Sequence, residues 1–410
     1  MKLVALSTFV SILAFAGVAR AAGFSVDVQS ARATGMATAV TGMIDDSSAV
    51  FYNPAGIARG RVFDAQVSDS LIMPMVTFKD TNGVSTTTPF SVAPPFQVYA
   101  AGGITNDISI GIGLFEPYGL SVSWPAGWEG RSLITYAQLA SYYVNPTVAF
   151  RLGPLRVGGG AQIVYSTVDL KRDIALPGGA FGATELGAST WGIGGNVGVQ
   201  VDAVRDVLTF GAHYRSAVAL SYDGPAHFDG IPDALAGTLH DQSASTRVVM
   251  PDSFAFGAAL RPIKPLVIDL DVVYYNWTHF RSIDITFPND ASGTLSSSQP
   301  KNWAGVVNVH LGAEYAINDT WRVRGGVFFD PTPSPEDTLT PDIPDATRMN
   351  FAVGGTYRHK SGLYVDLGYE LIVLLSQTST APQLPGTYSG YANIVGLGVG
   401  FKTSPPRPVR

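Results

Sequence analysis

A chain with 46% hydrophobic and only 14% charged residues, yet with no long apolar run beyond its N-terminus, can adopt very few folds. The longest interior run, Leu371 to Leu375, falls far short of the roughly 20 residues a helix needs to cross hydrocarbon. Its mean hydropathy of +0.19 is nevertheless that of a lipid-facing chain. Unpaired backbone groups in lipid cost several kcal/mol each, so the spanning structure left open is a closed barrel of strands.

Strand periodicity supports this. Leu363, Val365, Leu367, Tyr369, Leu371 and Val373 fall on one face, and Tyr364, Asp366, Gly368 and Glu370 on the other. Leu266, Ile268, Leu270, Val272 and Tyr274 likewise oppose Asp269 and Asp271, and Trp321, Val323, Val327 and Phe329 oppose Arg322 and Arg324. Val307, Val309, Leu311 and Tyr315 against Asn308, His310 and Glu314 repeat the split. An Arg on the lipid face near the midplane would cost about 2–4 kcal/mol, so the charged face is the lumen.

Connections alternate in length. Tight joints fall near Asn106-Asp107, Gly153-Pro154, Arg205-Asp206, Ile263-Lys264, Asn318-Asp319 and Lys360-Ser361. Between them lie longer polar or Pro/Gly-rich stretches: Lys79–Pro89, Glu116–Tyr136, Ile174–Gly187, Asp223–Thr246, Pro288–Lys301, Pro331–Thr347 and Ser376–Ser389. Short periplasmic turns and long external loops are the habit of outer-membrane barrels, which predicts an all-β, membrane-spanning antiparallel barrel of about 14 strands with both ends in the periplasm. A soluble β-sandwich would leave one face of each sheet to water, and the outward faces are too apolar and aromatic for that.

Lys2, the apolar stretch Leu3 to Val18 and Ala19-Arg20-Ala21 read as an export signal over residues 1–21. Residues 22–60 lack sustained alternation but carry Phe24, Phe51 and Tyr52, and are expected to form an N-terminal plug (hatch) inside the lumen. The barrel is expected over 61–401, followed by a periplasmic tail over 402–410 with three prolines. A net charge of -6 argues against nucleic acid, and the absence of cysteine removes thiol chemistry and cysteine-ligated metal.

Ala22-Gly23-Phe24, Gly35, Asp45-Asp46 and the run Ser48 to Gly56, containing Asn53-Pro54-Ala55, together resemble the plug signature of the FadL/TodX family. Phe115 to Leu120, Trp128 to Arg131, Val144 to Ala149 and the stretch from Asp330 to Arg348 are similar to later parts of that family, whereas residues 178–246 match only in strand pattern. The resemblance implies outer-membrane transport of hydrophobic molecules such as long-chain fatty acids: external capture, plug movement, then lateral exit through a kinked strand. Aromatic hydrocarbons are the alternative cargo, and substrate choice is expected to reside in residues 178–246. The expected partners are the apolar ligand, membrane lipids and the outer-membrane assembly machinery.

Pro117 has no N–H and Gly119 weakens and bends a strand, so Phe115–Leu120 is the candidate kink, although Pro117 could instead end the strand at a loop. Asn53-Pro54-Ala55 is expected to lie against it as a gate, with Asn53 bonding groups that the wall leaves unpaired. Phe24 is expected in the ligand pocket. The lumenal charges, Glu370 among them, are read as hydrated or paired, and the glycines Gly194, Gly195 and Gly198 as a source of curvature. A general porin would share the topology without a plug. A barrel lipid hydrolase would need a nucleophile and base, but there is no Gly-x-Ser-x-Gly elbow and the six histidines are scattered, so no catalytic, metal or cofactor residue is assigned.

Overall fold

The computed structural model describes residues 23–288, 290 and 295–403. The export signal read over 1–21 and all but two residues of the tail lie outside the described residues. The alternating sequence becomes a closed antiparallel barrel of 14 strands. The first six are β1 (Phe63–Asp80), β2 (Phe96–Gly103), β3 (Ile108–Ser123), β4 (Tyr136–Leu152), β5 (Leu155–Ala175) and β6 (Phe181–Val204). β7 and β8 are each interrupted, Leu208–Arg215 continuing as Val218–Asp229 and Gln242–Met250 as Ser253–Ile263. Then come β9 (Leu266–Tyr275), β10 (Val306–Ala316), β11 (Trp321–Asp330), β12 (Arg348–Arg358), β13 (Leu363–Ser379) and β14 (Gly386–Lys402). β14 closes on β1 from Asp64 opposite Lys402 to Asp80 opposite Gly386, which removes the free edges an open sheet would expose.

Side chains sort as the period of two requires. Leu363, Val365, Leu367 and Tyr369 are exposed on the outer surface, and Tyr364, Asp366 and Glu370 are buried inside. Asp269, Asp271, Glu314 and Arg324 are inward in the same way. The six tight joints lie at one end, the end at which β1 begins and β14 finishes.

Several stretches expected as long loops are strand instead. Glu116–Ser123, much of Ile174–Gly187, Asp223–Asp229, Gln242–Thr246 and parts of Ser376–Ser389 stay in the ladder, while Pro331–Thr347 does fill the gap between β11 and β12. β6 has 24 residues, where about 9–11 suffice to cross hydrocarbon. Past the lipid the outer face need not be apolar, so the alternation fades although the hydrogen bonds continue. Pro117 does not end the strand at a loop: β3 runs on to Ser123.

The segment from Gly23 to Gly60 lies within the barrel. Every residue from Val28 to Ala58 is buried except Asp45, which is half-buried. Too short to fold around a core of its own, it uses the wall as its core: Met36, Val40, Ile44, Val50 and Phe51 share one apolar cluster with Tyr99, Phe115 and Tyr143 of the strands. Its first helix, α1 (Ala31–Thr34), is capped by Ser30, whose hydroxyl accepts from the Ala33 N–H at 3.2 Å. A second, α2 (Ala49–Tyr52), leads into a 3-10 turn at Pro54–Ile57. α1 approaches the wall where side chains are absent: a Cβ on Gly368 would stand 2.5 Å from the Ala31 carbonyl, and one on Gly354 2.9 Å from the Gly35 Cα.

Candidate functional site

Lumenal charge secures the N-terminal segment. Asp271 Oδ2 accepts from the N–H groups of Val40 and Thr41 at 2.8 Å each, and Asp269 Oδ2 from Gly42 at 3.1 Å and Met43 at 3.0 Å. Arg32 donates to Asp45 at 2.6 Å and Asp46 at 2.7 Å and pairs with Glu314 of β10 at 3.2 Å. Glu314 is also bound by Arg322 at 2.9 Å and Arg324 at 2.7 Å, and Arg324 reaches Asp366 at 3.2 Å. Burial opposes the charge on Arg32, but Glu314, Asp45 and Asp46 outweigh it and hold the guanidinium well above its ordinary value. Burial likewise opposes ionisation of Asp45, and Lys402, Arg59 and Arg32 overcome it, so the carboxyl lies well below the usual range. Breaking one partner of such a network typically costs about 3–5 kcal/mol. Ala37 and Thr38 both adopt left-handed backbone, at φ 50° and 57°, and His310 faces them: its Nδ1 lies 2.8 Å from Thr38 Oγ1 and 3.0 Å from the Ala37 carbonyl.

Asn53 is not placed against the kink. Its Nδ2 donates to the carbonyls of Thr41 at 3.1 Å and Val199 of β6 at 3.0 Å, while its Oδ1 caps Ala55 N–H at 3.3 Å. The reason lies in the wall: a Cβ on Gly198 would come within 2.2 Å of Asn53 Oδ1, and one on Gly158 within 2.6 Å of the Pro54 carbonyl. Gly198 therefore provides room for Asn53-Pro54 to approach β5 and β6, which corrects its reading as a curvature glycine.

At the candidate kink β3 carries a β-bulge. Phe115 pairs with Tyr143 and Tyr118 with Ser141, so Glu116 and Pro117 together oppose one residue of β4. Inward-facing positions switch there from odd to even, from Phe115 to Tyr118, both fully buried. On the other edge the ladder with β2 stops at Val98 opposite Leu114, two residues short of the start of β2 at Phe96. The open edge is taken up from inside: Val26 N–H donates to the Pro117 carbonyl at 2.8 Å, and Gly119 N–H to the Phe24 carbonyl at 3.1 Å. Gln29 completes the closure, its amide donating to the Glu116 carbonyl at 2.7 Å and accepting from the Glu116 N–H at 3.1 Å. Asn53 was expected at this place, and the residues that bond the bulge are instead Phe24, Val26 and Gln29. Gln29 escaped the sequence reading; its one signal is a two-way amide beside a run of small and apolar residues.

At this place is a cavity of about 450 Å³. It is lined by lumen-facing Phe328, Asn350, Glu370 and Ile394 and by Gly119, Ser121, Gln138, Ala140 and Tyr142 from the outward side of β3 and β4. The segment Val92–Phe96 and Ile72, Pro74 and Val76 of β1 form its other bank. Phe24 borders it, with ring centroids 4.6 Å from Trp277, 5.6 Å from Phe280, 5.8 Å from Trp303 and 6.5 Å from Tyr118. Pro117 does not line it, whereas Gly119 faces it with only ordinary contacts around a notional Cβ, the nearest at 3.7 Å. Residues 178–246, expected to decide substrate choice, contribute nothing to the lining, because β6 to β8 lie on another side of the barrel from the bulge.

The family described as outer membrane protein transport protein (OMPP1/FadL/TodX) matches residues 12–402. A long-chain fatty acid transport protein of Salmonella typhi is 24% identical over 85% of this chain and 86% of its own length. A 47 kDa outer membrane protein of Pasteurella multocida is 24% identical over 94% of this chain and 95% of its own length. The crystal structure of a Pseudomonas aeruginosa FadL homologue superposes with a TM-score of 0.82 at 18% identity, covering 93% of this chain and 99% of that one. The toluene transporter TodX of P. putida does so at 0.72 and 15% identity, covering 92% and 99%. Barrel, lumenal segment and a family match over nearly the whole length agree: the chain belongs to the OMPP1/FadL/TodX family of outer-membrane transport proteins.

Proposed function

We propose that this protein carries apolar small molecules, of the kind that includes long-chain fatty acids and aromatic hydrocarbons, across the outer membrane. The ligand enters from the long-loop end, occupies the cavity beside Phe24, and leaves sideways between β1 and β3 when the N-terminal segment, acting as a plug, lets go of the bulge. The observation that carries this reading is the coincidence of the cavity with the end of the β2–β3 ladder, its walls drawn from both faces of the barrel. Each buried CH₂ is worth about 0.8 kcal/mol, so an aqueous route down the axis would penalise a long chain by on the order of 10 kcal/mol. A sideways route delivers the ligand to hydrocarbon and avoids that penalty.

Relatives named as fatty acid and toluene transporters support the cargo class. The test is uptake of a radiolabelled apolar substrate by cells carrying Gly119→Phe. Gly119 has room for a side chain, so the barrel should fold normally and show unchanged heat-modifiability, while uptake falls at least about tenfold. Normal uptake in a correctly folded variant would overturn the proposal.

A further inference from the structure

We propose that the polar end of this cavity receives a hydrogen-bond donor, the hydroxyl or ammonium of an otherwise apolar ligand, rather than a carboxylate. The inference rests on the cavity being the transport site and concerns which head group it accepts.

The polar lining is acidic. Asp27, Asp330, Asp345 and Glu370 border the cavity, with Glu116 at the bulge, and Arg348 is the one cationic residue among the described lining positions. That guanidinium is already committed: its Nε lies 2.8 Å from Asp330 Oδ2, and its Nη2 lies 3.6 Å from Asp345 Oδ1 and donates to the Gly23 carbonyl at 2.8 Å. A ligand carboxylate would therefore compete for a shared cation among several like charges, and like charges in a partly desolvated site repel strongly.

A second observation points the other way. Glu370, only 1% exposed, has an oxygen, Oε2, with no hydrogen-bond partner, and Asn350 beside it, also 1% exposed, has an unpartnered side-chain oxygen. Both residues line the cavity. A buried acceptor left unmade is costly, and a site built with one discriminates by head group because only a donor completes it. Among the described residues no group of three His, Asp or Glu side chains is placed to hold a metal ion, so the acidic lining is not explained that way. Leu120, Ile343, Ile372 and Leu374 supply the apolar remainder.

The experiment uses the detergent-solubilised full-length protein and four probes of equal chain length: dodecane, 1-dodecanol, dodecylamine and dodecanoate, each competing against one fluorescent apolar ligand at about pH 9, where buried carboxyls ionise and the amine keeps its proton. The alcohol or the amine should bind at least about tenfold tighter than dodecanoate, and tighter than dodecane. Glu370→Leu should bring the alcohol-to-dodecane ratio close to one. Glu370→Gln, which keeps an acceptor but not the charge, should retain preference for the alcohol and lose any preference for the amine, which tells the two head groups apart. Dodecanoate binding as tightly as the alcohol, or an unchanged alcohol-to-dodecane ratio in folded Glu370→Leu, overturns the head-group inference while leaving the transport site intact. Failure of all four probes to compete overturns the transport site, and the inference with it.

Discussion

Replacing Gln29 by leucine isolates the contact between the N-terminal segment and the bulge. Gln29 is fully buried, and its side chain is close in size to leucine, so the substitution changes bonding more than packing. It removes both bonds to Glu116, one at 2.7 Å and one at 3.1 Å, and a third to the Val26 carbonyl at 2.7 Å. The two Glu116 backbone groups then lose their partners on an edge where the ladder with β2 has already ended. At about 1–3 kcal/mol for each of the two Glu116 groups, the closed arrangement should lose about 2–6 kcal/mol, to which the unpartnered Val26 carbonyl adds. Since each 1.4 kcal/mol is a factor of ten, local opening should become at least about 30-fold more frequent. Amide hydrogen exchange in micelles reads this directly: Glu116, Gly119 and Val26 should exchange faster by that factor, while the amides of Val40 to Met43, held by Asp269 and Asp271, should keep their protection. Unaltered exchange at Glu116 and Val26 would refute the idea that Phe24 to Gln29 closes the bulge.

Replacing Asp269 and Asp271 together by alanine leaves the N–H groups of Val40, Thr41 and Gly42 without acceptors and Met43 with only its bond to the Val40 carbonyl, and the N-terminal segment should become protease-sensitive in a barrel that still resists heat in detergent. Asp45 is held well below its ordinary value, so its ion pairs contribute fully above the unfolded carboxyl value of about 4 and are lost only as pH falls through the lower folded value; the segment should stay protected from pH 8 down to about pH 4, and release between pH 5 and pH 7 would contradict this. Phe24→Ala should weaken binding of an apolar ligand by about tenfold in a fluorescence titration, since the ring borders the cavity and fixes its aromatic neighbours.

What could be read from the chain follows from what lipid forbids. Asp366 and Arg324 cannot face hydrocarbon, so their positions assign both faces of β13 and β11, and six tight joints give the strand count. Outside the lipid that constraint lapses, which is why Leu120 to Ser123 and Asp223 to Asp229 read as loop although they are strand. The bulge could be anticipated because Pro117 lacks an N–H, a local property. Its partner could not, because Gln29 and Glu116 are 87 residues apart and nothing local couples them. Asn53 illustrates the same limit: it meets Val199, 146 residues away, through a space left by Gly198. The cavity's acidic end is assembled from Asp27, Asp330 and Glu370, which only closure of the barrel brings together.

The route out of the cavity can be mapped with a transported ligand carrying a diazirine, activated during uptake and located by mass spectrometry. Sideways exit predicts labels on Gly119 to Ser123 and on Gln138 to Tyr142, along the gap between β1 and β3. Labels concentrated instead at the short-turn mouth, on Ala58, Arg151, Arg156 and Arg358, would show passage down the axis and contradict it.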